Sequence, residues 1–184
     1  MISNRARDSF DQMLMLGIKA SMGGSAPETC EVAVLANPKE IRETTVVMLT
    51  VASFLFRLSV VIYFSSDDAT KTHFASLNNI DPTEMSDQAF LDALRECGNI
   101  CCGTLNRELA RVCPHVAMST PNIIERECVD HLESLKGGHL QYFRATIDGG
   151  KQFHVSVCVR DYADIDFDWT MLEETTAAGE MEFF

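Results

Sequence analysis

Residues 90–112 read FLDALRECGNICCGTLNRELARV. Phe90, Leu94, Cys97, Cys101, Leu105, Leu109 and Val112 recur at spacings of three and four, which is one buried stripe of a helix. Ser86-Asp87 supplies a cap before it and Pro114 a stop after it, so the spacing predicts a helix over 87–112. A second stripe, Asp92, Glu96, Asn99, Gly103 and Asn106, is polar and lies beside the first. A carboxylate and an amide are thus displayed together on one exposed face. Gly98 and Gly103 interrupt the helix, each at a cost of about 1 kcal/mol against alanine. Gly98 suits close packing against another element, and Gly103 leaves room for something to approach the backbone. The plainer reading is that both only relieve helix packing.

Outward from this helix the chain alternates between two kinds of pattern. Phe10, Met13, Leu14, Gly17, Ile18 and Met22 predict a helix over 4–22, ended by Gly23-Gly24-Ser25. Cys30–Ala36 reads as a strand broken by Asn37-Pro38. Val46–Ala52 and Phe56–Phe64 read as a hairpin, followed by a short helix over about 67–77 capped from the Ser65–Asp68 run. Beyond the long helix, Pro114 and Pro121 bracket an extended connection, and 122–127 reads as a strand. His139–Ile147 and Lys151–Arg160 flank Asp148-Gly149-Gly150, a strong hairpin signal. Helix, strand and hairpin therefore occur twice. The expected fold class is α+β, with one antiparallel-rich sheet built from two similar halves and long helices packed on it.

Thr44–Phe64 is 21 residues long with Arg57 as its only charge, long enough to span a bilayer. An arginine near mid-bilayer costs about 2.5–3.5 kcal/mol. The abundance of Val, Thr, Ile, Phe and Tyr favours two buried strands instead. No membrane association is expected.

The 184 residues suit one domain, and 46% apolar content permits a packed core. The net charge of −12 argues against nucleic-acid binding, which needs clustered cations. Eight of those negative charges lie in residues 161–184, which contain no Lys or Arg. We therefore divide the chain into a domain at 1–160 and an acidic extension at 161–184. Seven cysteines without a CxxC pair, and an opening MISNRARDSFDQ without the apolar run of a signal peptide, suit a reducing, cytoplasmic home. The five histidines are scattered, so the cysteines read as core residues rather than as a metal site or a Cys–His pair. In the extension, Trp169 reads as packed on the body. The sharper alternative is a lid over the polar helix face.

The arrangement Asp92-x-x-x-Glu96-x-x-Asn99 resembles the D-x3-E-x2-N signature of the CheC, CheX and FliY chemotaxis phosphatases. Glu96-Cys97-Gly98-Asn99-Ile100 is similar to that family's E-x-G-N-hydrophobic core, and Gly103 matches its small residue four positions later. His115-Val116 and Ser119–Ile124 resemble its extended segment with a proline and a β-branched pair. Val60–Ala69 resembles its strand-to-helix passage. The resemblance covers roughly residues 40–160. Only Asn99 among seven asparagines has a Glu three positions before it, which points to the single-site CheX-like branch. The bulky 52–57 stretch and Cys97, Cys101 and Cys102 depart from the family pattern.

The resemblance implies an aspartyl-phosphate phosphatase acting on a phosphorylated CheY-like receiver domain, and a homodimer. It implies that Glu96 and Asn99 are catalytic: Glu96 pairs with a lysine of the partner, and Asn99 holds the attacking water. Asp92, Gly103 and Asn106 would support docking. Mg²⁺ would sit on the partner, with no cofactor or metal of the chain's own. The alternative is a CheC-like module that binds a receiver domain, or another signalling protein, without catalysis.

Overall fold

The protein is described here from a computed structural model, which covers residues 1–171 apart from Ser25, Lys136, Asp148 and Gly149. Residues 172–184, the larger part of the acidic extension, and the Asp148-Gly149 turn lie outside the described residues.

Three helices, α1 (Asn4–Met22), α2 (Asp68–Leu77) and α3 (Asp87–Val112), accompany seven strands. The strands are β1 (Cys30–Val34), β2 (Thr45–Ala52), β3 (Phe56–Phe64), β4 (Ala117–Met118), β5 (Asn122–Glu125), β6 (His139–Ile147) and β7 (Lys151–Asp161). They form one sheet in the order β1-β6-β7-β3-β2-β4, with β5 also on β2. Every strand pair is antiparallel. The two hairpins meet at the sheet centre through β3 and β7, so the two halves of the sequence become the two halves of the sheet.

Thr44–Phe64 is therefore a hairpin, as its composition suggests. Among the described residues no helix is long and apolar enough to cross a membrane. Three strand readings need correction. β1 stops at Val34 rather than Ala36. β5 stops at Glu125 rather than 127, because Arg126–Cys128 winds into a 3-10 turn and Arg126 Nη1 donates to the Ile41 carbonyl at 2.5 Å. The connection between Pro114 and Pro121 contains β4, a two-residue strand too short to leave a periodic signal.

Serine and aspartate caps set the helix starts. Ser3, Asp67 and Ser86 each accept from a backbone N–H three residues on. One face of the sheet carries the main core, in which α1 and α3 lie against Val47, Leu49, Val51, Phe56, Leu58 and Val155. Phe10 of α1 meets Phe56 of β3 edge-to-face at 5.3 Å. The opposite face has a smaller cluster, Val46, Val61 and Tyr63, roofed by Leu35, Ile41, Val129 and Leu132 from two connections. Beside that cluster His154 Nδ1 and Glu43 Oε1 lie 2.6 Å apart, both residues buried. Burial raises the Glu43 carboxyl, but the His154 and backbone hydrogen bonds outweigh it and hold the carboxyl below its ordinary value.

Two glycines let α3 sit close. A Cβ on Gly17 of α1 would stand 2.5 Å from the Cys101 carbonyl oxygen, so the two helix backbones nearly touch there. A Cβ on Gly98 would stand 2.8 Å from Leu49 and 2.9 Å from Val47. The packing reading of Gly98 holds, and α3 is pressed onto both α1 and β2.

Residues 161–169 return across the helices. Ser3 N donates to the Ile165 carbonyl at 3.0 Å and Ile165 N donates to the Met1 carbonyl at 2.9 Å, which makes a parallel bridge between Ile2 and Ile165. Arg5 and Ser3 bind the Asp166 carboxylate, and the Arg5 contact, then Ser3, draws its pKa down to about 2. Trp169 is buried. Its backbone N–H donates to Ser9 Oγ on α1 and its indole Nε1 donates to Glu108 Oε2 on α3, so it bridges the two helices.

Candidate functional site

The rear of α3 is fully engaged. Leu94, Cys101, Cys102, Leu105 and Leu109 are inaccessible to solvent. The front carries the polar stripe. Glu96 is exposed and Asn99 is partly exposed, one helical turn further on. Asn99 Nδ2 donates to Glu96 Oε2 at 3.3 Å. That contact turns the nitrogen side of the amide towards the carboxylate and leaves Oδ1 as the free acceptor. The pair sits on a helix fixed along its length from behind, so its geometry is set by the core rather than by a loop.

Asp92, one turn earlier, is exposed and accepts from Gln88 Nε2 at 2.9 Å and from Arg95 Nη1 at 2.7 Å. It is tied within its own helix and brings no donor to Glu96. A Cβ on Gly103 would meet nothing within 4 Å, so the space over that turn is open. The stripe is not uniformly exposed: Asn99, Gly103 and Asn106 are only partly exposed, and Asn106 Oδ1 is buried with no hydrogen-bond partner among the described residues. A spacing of 4, 3, 4 and 3 averages 3.5 residues against the 3.6 of a straight helix, so the later positions of the stripe drift off the line of its first ones.

Two neighbours of the pair, both within the quoted motifs, were not among the expected site residues. Ile100 is 41% exposed and stands off the core stripe, an apolar residue beside the carboxylate. It shares a small cleft with Glu96, Phe74, Leu77 and Asn78. Pro121, from the segment between β4 and β5, approaches Gly98. Ile100 was findable as a large aliphatic residue of α3 outside the stripe, next to Asn99. Pro121 was not, because its nearness depends on β5 pairing with β2.

Glu108 and the cysteines of this helix are withdrawn from solvent. Glu108 is 5% exposed and is held by Arg111, Trp169 and Arg107. Its burial pushes its carboxyl up, and those three donors bring it below the usual range. Cys97 and Cys101 are buried. Burial pushes the Cys97 thiol up strongly, and the Cys101 thiol is raised by its hydrogen bond with Cys102 and by burial, which leaves neither as a thiolate nucleophile. Among the described residues no three His, Cys, Asp or Glu side chains gather in a way that could hold a metal ion.

No protein-family model matches the sequence, and no curated protein matches it. Solved structures do match. One is the CheX–CheY–BeF3–Mg²⁺ complex from Borrelia burgdorferi, with a TM-score of 0.64 at 16% identity, covering 86% of this chain and 100% of that one. A CheC-like superfamily protein from a Shewanella species gives 0.56 at 12% identity, over 83% and 96% of the two chains. The chemotaxis protein CheX from Vibrio vulnificus gives 0.55 at 16% identity, over 82% and 96%. The chain has the CheC/CheX fold, as the helix motif suggested.

Proposed function

We propose that this protein dephosphorylates the aspartyl phosphate of a CheY-like receiver domain, with Glu96 and Asn99 as the catalytic pair. The observation that carries the proposal is the Asn99–Glu96 contact, held on the open front of a helix whose rear is wholly buried. The fold it stands on is that of CheX, one member of which has been solved with CheY.

Hydrolysis of an acyl phosphate asks for a water in line with phosphorus and for charge compensation, more than for a protein nucleophile. Asn99 Oδ1 accepts a hydrogen bond from that water and aims its lone pair. Water oxygen bonds to phosphorus, the bond from phosphorus to the aspartyl oxygen breaks, and carboxylate and inorganic phosphate leave. Holding the water removes much of the entropic part of the barrier. Glu96 attracts a cationic side chain of the receiver domain and at the same time fixes the Asn99 amide. Mg²⁺ and the phosphorylated Asp belong to the partner. Asp92 steadies the first turn of the docking face, while the open space at Gly103 admits the partner's backbone. A homodimer and a cytoplasmic location belong to the same proposal.

The test is the decay of a phosphorylated receiver domain in Mg²⁺ with and without this protein, run beside Glu96→Ala and Asn99→Ala. Acceleration by the parent and loss of it in both variants is the expected result. Acceleration that survives Asn99→Ala would remove the assigned mechanism. Binding without acceleration would replace catalysis by a receiver-binding module.

A further inference from the structure

Arg57 of β3 and Arg160 of β7 are direct cross-strand partners, and both are exposed. They lie on the sheet face opposite α1 and α3, since their neighbours Phe56, Leu58 and Val159 point into the helix-side core. Like charges placed opposite each other on a sheet are destabilising. A folded protein relieves such a pair with a carboxylate, yet neither arginine has an acidic partner among the described residues. The acids nearest in sequence are taken: Asp161 and Asp164 both bind the Met1 amino group. On the β2 side the row continues with Ala52, and β6 begins at His139, one row short, so neither neighbouring strand offers a charge.

The pair also has aromatic flanks. The Arg160 guanidinium lies 6.0 Å from the centre of the Tyr162 ring, and Tyr162 is 55% exposed. Phe54, at the tip of the β2–β3 turn, is 67% exposed. Its turn is fastened by Ser53 N to Phe56 O at 2.9 Å and Leu55 N to Ser53 Oγ at 3.0 Å, and Tyr162 N donates to Leu55 O at 2.8 Å. Two guanidinium groups and the Tyr162 ring are thereby presented together, with Phe54 exposed on the adjoining anchored turn.

We infer that Arg57, Arg160, Tyr162 and Phe54 form a docking site for a short acidic peptide segment of a partner protein, one that carries an aromatic or large apolar side chain among its carboxylates. Paired guanidinium groups match carboxylates bidentately, and the rings accept the apolar side chain. A chain with net charge −12 repels extended polyanions, so a nucleic acid or an anionic membrane is opposed at long range by the rest of the molecule. A short acidic segment feels mainly the local pair, within a Debye length of about 10 Å at 0.1 M salt. This site is separate from α3 and does not depend on the phosphatase proposal.

The probe is a fluorescein-labelled hexapeptide, EEDFEE, titrated with the full chain at low salt and read by anisotropy. Its counterpart is QQNFQQ, and the variant is Arg57→Ser with Arg160→Ser. The acidic peptide should bind, the neutral one should not, and the double variant should weaken binding at least about tenfold. Binding should also weaken several-fold when salt rises to about 0.2 M. Relief of the like-charge contact should raise the melting temperature of the double variant by about 1–3 °C. Loss of binding with gain of stability is the signature of arginines kept for a partner. Equal binding by parent and double variant, no binding of EEDFEE by the parent, or a fall in melting temperature would each overturn the inference. Arginine-dependent binding of phosphatidylserine vesicles or of a single-stranded oligonucleotide, in place of the peptide, would overturn it in favour of those ligands.

Discussion

Helices α1 and α3 occupy equivalent places in the two halves of this fold and lie against each other, yet of the two only α3 carries the candidate pair. The crossing is marked by Gly17 against the Cys101 carbonyl. Counting back equally from it, Asp92, Glu96 and Asn99 on α3 correspond to Asp8, Gln12 and Met15 on α1. The aspartate persists, the carboxylate of the second position has become an amide, and the amide of the third has become a thioether. Two residues beyond the crossing, Gly103 corresponds to Lys19, so open space is exchanged for a long charged side chain. Both helices use the same burial scheme at the rear, and the difference lies entirely on their fronts. Burial makes a helix, and a handful of exposed positions decides whether it has chemistry.

The largest effect expected from this contrast is in activity. Asn99→Ala should slow phospho-receiver turnover by about 100-fold or more, the scale of losing an aligned reactant, whereas Met15→Ala should leave the rate within about twofold. Circular dichroism and melting temperature check that both variants fold. An Asn99→Ala protein as fast as the parent would abolish the distinction between the helices.

Next in size is the crossing itself. Gly17→Ala must push a backbone carbonyl away and should cost about 1–3 kcal/mol in urea unfolding. Gly103→Ala adds a methyl to open space inside a helix and should stabilise by about 0.5–1 kcal/mol. If both changes destabilise alike, the two glycines do not divide between packing and approach as described. Activity measured on Gly103→Ala adds a second reading, because a fall despite greater stability places the partner over that turn.

A transplant sharpens the comparison further. Gln12→Glu with Met15→Asn, placed in the Asn99→Ala protein, should remain inactive, because Lys19 stands where Gly103 leaves room. Adding Lys19→Gly should then restore a measurable fraction of turnover. Recovery without that third change would show that the space over the second turn is dispensable.

The smallest effect concerns the segment that ties the helices together. Asp166 has its pKa drawn down to about 2 by Arg5 and Ser3, and Glu108 is also held below its ordinary value. A carboxyl whose folded pKa is depressed contributes stability that is complete above its unfolded value, near 4, and is lost as pH falls towards the folded value. Trp169 is the only tryptophan, so its emission should move to longer wavelength between about pH 4 and 2, and Asp166→Asn should show part of that shift already at neutral pH. An emission maximum unchanged down to pH 2 would separate Trp169 from these carboxylates.

Much of this molecule was legible because its elements are long or strongly patterned. The spans of α3, β3 and β6 follow from their own periodicity and from residues such as Ser86 and Asn78 at helix ends. The pairing of Glu96 with Asn99 was legible too, since three residues on a helix bring two side chains to one face whatever surrounds them. β4 was not, because two residues have no period. The buried Oδ1 of Asn106 was not legible for a related reason. Periodicity places a residue on a helix face but does not say what the rest of the chain lays over that face.

The sequence alone determined the repeated order of helix, strand and hairpin, the buried and polar stripes of α3, and the glycines that interrupt it. Those are local properties, set by side-chain spacing and backbone preference within a few turns. Only the tertiary structure decided that β3 and β7 join the halves, that Gly17 meets Cys101, that Trp169 bridges α1 and α3 to Glu108, and that Arg57 stands opposite Arg160. Such contacts join residues 60 to 160 positions apart. They follow from sheet register and from competition for buried surface across the whole chain, for which no local pattern carries a signal.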